Sequence, residues 1–184
     1  MSSIVIREVE TFPEPGFTLL QREVFSAVQA ESPQVDRMLD TERLIRESIP
    51  AHEKTVHAAM VRLGAYAGEE LVGWSLGWFE RGESFYMANS GVLPRHQRQG
   101  VYSHLVAAVL ALAKERGAVA IRSQHSVLNN AVIICKLKLG FQVSGLSASA
   151  HMGLLVELTQ HLSVSRAQLF SSRVIPLVAR QHDA

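Results

Sequence analysis

Between Val92 and Tyr102 the chain reads VLPRHQRQGVY, which sets Gln97, Arg98, Gln99 and Gly100 in a row just after Arg95 and His96. This stretch joins an expected strand end to a strongly apolar expected helix, GVYSHLVAAVLALAKERG. The first amides of a helix have no partner inside it and carry partial positive charge. A glycine at such a junction lets an anion approach the backbone closely, so the junction can cradle phosphate oxygens. The expectation is a phosphorylated ligand. Two other phosphate-binding patterns fit worse. A P-loop needs Gly-Lys-Ser/Thr entering the helix, and the chain has Gln99-Gly100-Val101. A dinucleotide fingerprint needs three spaced glycines and an acid about 20 residues on, and no carboxylate lies around Ala120 to Arg122.

The elements that must hold this junction follow from periodicity and punctuation. Ile4, Val5, Ile6 and Val9 predict a first strand, ended by Pro13, Pro15 and Gly16. Phe17, Leu20, Val24 and Val28 form one helical stripe, and a second helix is expected from Asp36 to Ile49. Three strands are expected at 58–67, 70–79 and 84–93, with turns at Gly68–Glu69 and Arg81–Gly82. The helix at 100–117 turns Val101, Leu105, Ala108, Val109 and Leu112 to one side and stops at Gly117. A buried strand at 118–126 follows, then a short helix capped by Asn129 or Asn130 and ending at Gly140. Strands at 141–146 and 153–158 close the order, which predicts a mixed α/β sheet covered by helices.

Bulk properties narrow the class. At 184 residues with 47% hydrophobic and 19% charged residues, the chain suits one globular domain with a real core. A net charge of +1 supplies no global drive toward nucleic acid or acidic membranes, so neither is expected as a partner. Cys135 is the only cysteine, which excludes an intramolecular disulfide and a cysteine-clustered zinc site. His52 with His57, and His96 with His104, lack ligand spacing on one helix face, so no metal is expected. The N-terminus does not read as a secretion signal and no apolar run is long enough to span a bilayer, so a cytoplasmic location is expected. The overall apolar composition and the patch at 174–178 suggest a homodimer.

The element order, with V-x-P closing a strand and Q/R-x-x-G opening a helix, resembles the GNAT superfamily of acyl-CoA-dependent N-acetyltransferases. The motif residues are Val92, Pro94, Gln97 and Gly100, and the likeness covers roughly residues 4 to 158. A second family element, asparagine before a helix ending in K-x-G-F, is matched by Asn129, Lys138, Gly140 and Phe141. The resemblance implies a GNAT-like α/β fold: a mixed, mostly antiparallel central sheet flanked by helices, with splayed central strands. It implies a transferase domain over 1–162, leaving 163–184 as a C-terminal extension of unknown role. It implies acetyl-CoA as co-substrate, its pyrophosphate held on the backbone N–H groups of about Gln97, Arg98, Gln99, Gly100, Val101, Tyr102 and Ser103. Val92 would meet the thioester region and Asn129 the pantetheine. Two residues depart from the pattern. Tyr102 stands where Gly or Ala is usual, and Lys136 where many members place a tyrosine that protonates the departing sulfur. A subset carrying N-S, G-x-Y, S-x-H and N-N looks most similar, through Asn89–Ser90, Gly100–Tyr102, Ser123–His125 and Asn129–Asn130.

The implied reaction moves an acetyl group directly to an amine. An aliphatic amine of pKa ~10 is mostly protonated at neutral pH, so a proton acceptor is useful. Many members use a glutamate on the strand before V-x-P; here Asn89 stands there, able to orient a water or the acceptor. His125, near the end of the neighbouring strand, is the candidate base. Tyr86 reads as core or pocket wall, Ser90 as a small lining residue, and Cys135 as a buried small hydrophobe. Arg95, Arg98 and Lys136 are candidate cations for the phosphates. Trp74, Leu76 and Trp78 share one strand face, most simply a core face. The acceptor pocket is expected from the N-terminal helices and the loop around Glu31–Ser32–Pro33, with no distinctive charge, which favours a small-molecule amine. The alternative is a non-catalytic acyl-CoA sensor or scaffold module.

Overall fold

The computed structural model describes residues 3–30, 60–81, 83–149 and 152–174. The expected helix at 36–49, the loop at 31–33, His52, His57 and residues 175–178 of the apolar patch lie outside the described residues. The strands are β1 (Ile4–Glu8), β2 (Val61–Ala67), β3 (Glu70–Phe79), β4 (Ser84–Val92), β5 (Ala120–Ser126), β6 (Gln142–Ser149) and β7 (Gly153–His161). The described helices are α1 (Gly16–Ala30), α2 (Val101–Glu115), α3 (Asn130–Lys138) and α4 (Val164–Val174), with a single 3-10 turn at Pro94–His96. The strands form one seven-stranded sheet in the order β1-β2-β3-β4-β5-β7-β6. β1/β2, β2/β3, β5/β7 and β6/β7 pair antiparallel, whereas β4 and β5 run parallel. The parallel ladder covers Ser84 with Ala120 to Tyr86 with Arg122, although both strands continue beyond it. The mixed, mostly antiparallel sheet expected of the sequence is present. No described helix is long and apolar enough to cross a membrane.

The chain packs as two compact units, Met1–Trp78 with Asn89–Val106, and Phe79–Ala88 with Ala107–Ala184. In the first, the aromatic stripe of α1 explains the packing. Phe12 stacks on Phe17 at 4.3 Å between centroids, and Phe17 and Phe25 set ring edges against Trp74 at 5.5 and 5.8 Å. Trp74 is fully buried, as a core residue of that strand face should be. In the second unit, Phe85, Ile121 and Leu158 fill the interior, and Phe79 meets Phe85 edge-on at 5.1 Å. α4 lies against β7 through His161 and Phe170, centroids 5.0 Å apart, while Gln142 Nε2 donates to Ser171 Oγ at 3.0 Å.

Boundaries differ from expectation by a few residues; helix α2 occupies 101–115. Its fully buried residues are Val101, Leu105, Val106, Val109 and Ala113, while Ala108 and Leu112 are only half-buried. The buried stripe is broader than a single row and rotated by one position, as a helix lying on a twisted sheet requires. The closing strands run longer than expected: β6 reaches Ser149 through its ladder with β7 at Gly153, and β7 reaches His161 through its ladder with β5 at Ala120.

Candidate functional site

The junction after β4 is built from its own backbone. The amide of His96 donates to Leu93 O at 2.8 Å and that of Gln97 to Pro94 O at 3.2 Å, which winds the 3-10 turn. The Gln97 side chain folds back and donates to Val92 O at 2.9 Å, tying the turn to the strand end. Gln99 Nε2 donates to Arg95 O at 2.8 Å. Arg98 (φ 60°) and Gly100 (φ 83°) both take left-handed backbone, and α2 starts with His104 N donating to Gly100 O at 3.0 Å. Glycine suits the last of these positions, since φ near 80° strains any residue with a Cβ.

Among the described residues the amides of Arg98, Gln99, Gly100 and Val101 make no backbone hydrogen bond of good distance and angle, and only a loose turn over 97–100 engages them. Arg98, Gln99 and Gly100 are exposed, whereas Val101 is buried. Successive N–H groups in such a turn at a helix start form a concave anion seat. The fit to phosphate oxygens therefore lies in the backbone. The Gln97 and Gln99 side chains brace the loop, leaving its backbone amides as the groups expected to meet phosphate. Arg95 is engaged elsewhere: it bonds the Glu70 carboxylate and lies 3.7 Å from Glu23 Oε1. Arg98 has no carboxylate partner among the described residues and is the cation left to the seat. Tyr102 and Ser103, in the first turn of α2, are half-buried.

Upstream on β4, Asn89 Oδ1 accepts from the buried Trp74 Nε1 at 2.8 Å, and Ser90 Oγ donates to Ser75 Oγ at 3.0 Å. The Asn89 carbonyl is thus committed to the core, and its Nδ2 is the end left to orient a ligand. Gly91 makes the tryptophan possible, because a Cβ there would meet Trp74 Cη2 at 2.3 Å.

The second unit holds a different polar centre. Lys136, grouped in the sequence with the phosphate cations, is instead wholly buried, at 0% exposure. Its Nζ donates to Ser123 Oγ at 2.7 Å and to Met87 Sδ at 3.3 Å, and sits 4.7 Å from the Phe141 ring centroid. Burial without a carboxylate partner pushes its pKa down to about 7, opposed weakly by Cys135. His125 Nε2 lies 3.1 Å from the same Ser123 Oγ. Burial first, and the Lys136 charge second, push His125 down to about 4. His125 is therefore neutral at physiological pH. Ser123, 1% exposed, is the junction of the cluster; the sequence marks it only as the serine of S-x-H, two residues before His125 on the same strand face, with no role attached.

A second polar chain runs on the face of β4 and β5 opposite to Met87, Ser123 and His125. Tyr86 donates to Gln124 Oε1 at 3.2 Å, and Gln124 Nε2 donates to Glu157 Oε1 at 2.7 Å. Tyr86 belongs to a half-buried polar chain, and burial with Glu80 nearby raises its pKa. Cys135 is half-buried, not the fully buried hydrophobe expected. Asn129 caps α3, its Oδ1 accepting from Val132 N at 3.3 Å. Among the described residues no three His, Cys, Asp or Glu side chains gather in a group that would hold a metal.

The family model of the acetyltransferase (GNAT) family matches residues 22–141, well over half of the chain. The chain therefore belongs to the GNAT acetyltransferase family and is an acyltransferase, of a class that moves acyl groups from acyl-CoA to amines. No curated protein matches it by sequence search. Solved structures share its fold at low identity. The ribosomal-protein-S18-alanine N-acetyltransferase from Escherichia coli is 14% identical with a TM-score of 0.63, over 88% of this chain and 96% of that one. Ard1 from Thermoplasma volcanium is 19% identical with a TM-score of 0.61, over 86% and 97%. A Bacillus subtilis acetyltransferase solved in complex with CoA is 18% identical with a TM-score of 0.61, over 88% and 100%.

Proposed function

We propose that this protein binds acetyl-CoA at the Arg98–Val101 amides and transfers the acetyl group directly to the amine of a small molecule, in the cytoplasm. The observation that carries the reading is the loosely bonded turn at the start of α2, whose four amides make no backbone bond of good geometry, with Arg98 and Gly100 both left-handed. In this reading Arg98 adds charge to the phosphate seat, with Gln97 and Gln99 holding its shape and Tyr102 and Ser103 completing its first helical turn. Val92 serves the thioester region and Asn129 the pantetheine. Asn89 presents its Nδ2 to the acceptor. His125, neutral at physiological pH, takes the acceptor's proton, and a thiol of pKa ~8.5 leaves readily as a thiolate. The transferase domain is assigned to residues 1–162, with 163–184 as an extension whose helix α4 rests on β7.

A second reading is supported by two observations: the Asn89 carbonyl is taken by Trp74, and His125 is a weak base. In it the protein binds acyl-CoA without turnover.

Calorimetric titration with acetyl-CoA tests the seat. Gly100→Asp should weaken binding at least ~100-fold by placing a carboxylate at the phosphate position, a loss equivalent to about 2.7 kcal/mol. Gly100→Ala isolates backbone strain, since an added Cβ meets nothing closer than His104 Cε1 at 3.8 Å. Equal affinity of the Asp variant and the parent would refute the seat. Acetyl transfer is then measured on small amines and on peptides with an N-terminal alanine, the residue in the name of the Escherichia coli neighbour. Turnover on peptides alone would replace the small-molecule acceptor, and binding with no turnover would favour the second reading.

A further inference from the structure

The Lys136 centre has a feature that simple packing does not require: a buried amine and an imidazole share one hydroxyl. Ser123 Oγ stands 2.7 Å from Lys136 Nζ and 3.1 Å from His125 Nε2. Lysine and serine are both sealed from solvent, and the histidine is half-buried. An ammonium at this place would have three donors to satisfy, and it finds one hydroxyl, one thioether sulfur and one aromatic face. No carboxylate pairs with it among the described residues. The titratable groups beside it are Cys135 on its own helix, which raises its pKa, and His125 on β5, whose pKa Lys136 lowers. Met87 from β4 and Phe141, just after α3, do not titrate.

Read as a neutral amine, the same geometry is fully satisfied. The Ser123 hydroxyl then donates to the Nζ lone pair, and Ser123 Oγ accepts from His125 Nε2–H. This arrangement leaves His125 Nδ1 as an acceptor with its lone pair free.

We propose that Lys136 is the proton store of the acyl-transfer reaction, loaded from His125 through Ser123. The inference rests on the acyl-transfer reading given above. The step balances as a chain of transfers. The acceptor ammonium gives one proton to His125 Nδ1, His125 Nε2–H passes one to Ser123 Oγ, and the Ser123 hydroxyl proton passes to Lys136 Nζ. The amine is left free to attack the thioester carbonyl, with Ser123 and His125 again neutral and Lys136 an ammonium. Attack forms the C–N bond and breaks the C–S bond; the second proton, lost from nitrogen as the amide forms, goes to the departing thiolate, and the reverse sequence returns the stored proton to water. Lys136 acts at one remove from the substrate, through the other two residues. A near-neutral affinity for the proton, set by burial, is what a store operating near pH 7 needs.

Two measurements on the full chain test this. Carbon-13 NMR of the lysine Cε signals follows Lys136 directly and needs no variant in the pocket. The expected midpoint lies near 7, with the His125 ring signals shifting at the same pH. A midpoint above pH 9 overturns the proposal. The second measurement is the pH profile of acetyl transfer. Lys136→Met should lower kcat ~100-fold, within the usual range for a positioned proton acceptor, and abolish the limb centred near 7. Lys136→Arg keeps the charge but cannot accept a proton, and should fail to rescue. In Ser123→Ala, Lys136 should still titrate by NMR while the rate no longer follows it. A Lys136→Met profile superimposable on the parent's sinks the store and leaves the transferase standing. Absence of transfer by the parent on every amine sinks the transferase reading itself.

Discussion

Each unit hides polar side chains, but they are solved in opposite ways. In the first, Trp74 with Asn89 and Ser75 with Ser90 are neutral pairs in which each hydroxyl or N–H meets an oxygen. In the second, Lys136 is buried among a hydroxyl, a sulfur and a ring. Neutral pairs carry no pH dependence and fix geometry. A buried amine with no countercharge carries a strong pH dependence and is a weak way to hold a fold. The contrast separates polar burial that builds a scaffold from polar burial that stores a proton.

The sharpest way to break that contrast is through stability. The folded Lys136 releases its proton near 7, against 10.5 for an ordinary lysine. Below pH 7 the folded and unfolded chains both hold the proton, and the full burial penalty is present. Between 7 and 10.5 the unfolded chain binds more protons, so stability rises with pH across that window. Lys136→Met should therefore be more stable than the parent at pH 6, by about 1–4 kcal/mol, as found when buried charges are replaced by apolar groups. The gain should shrink steadily toward pH 10. Urea unfolding at pH 6, 8 and 9.5 reads it, and a gain that stays constant with pH would mean that the buried lysine keeps its proton across the whole window.

Asn89→Ala probes the other side. It leaves the indole N–H of a fully buried tryptophan without its acceptor, at a cost of about 1–3 kcal/mol. Because the pair is neutral, the loss should be the same at pH 6 and 9.5. A pH-dependent loss would dissolve the contrast between the two units. The same variant separates roles for Asn89: transfer that survives once the protein is kept folded leaves it a scaffold residue.

The sequence spoke clearly where backbone geometry is encoded in residue type. Gly100 before an apolar helix, Pro94 after a strand, and a stripe of Phe17, Leu20 and Val24 each force one local outcome, and those elements formed where expected. The antiparallel sheet followed from turn residues at Gly68 and around Arg81. Side-chain partnerships were another matter. Gln97 and Gln99 were legible as members of the phosphate loop, yet nothing in their spacing says that they bond carbonyls of the loop itself. Lys136 was misplaced because lysine ordinarily reaches solvent. Its neighbours Ile133, Ile134 and Leu137 gave a hint of burial, but its partners Ser123 and Met87 lie 13 and 49 residues away. Such contacts are set by the docking of α3 on the sheet, which no local pattern specifies.

The smallest effect concerns the helix that carries Lys136. Asn129 Oδ1 satisfies one of the amides at the start of α3, so Asn129→Ala should cost about 1 kcal/mol. Lys136 sits in the last turn, where Phe141 N donates to Lys136 O at 3.0 Å and Leu139 N to Cys135 O at 3.1 Å. Fraying of the first turn does not reach it, so its titration midpoint should hold. Acetyl-CoA affinity supplies the discriminating readout, because Asn129 is also proposed to meet the pantetheine. A loss of stability with unchanged affinity assigns Asn129 to capping alone. A parallel drop in affinity at temperatures where the variant stays folded assigns it both tasks. A shifted Lys136 midpoint would show that the proton store depends on the whole of α3, and the boundary between scaffold and store would have to be redrawn around the helix instead of the side chain.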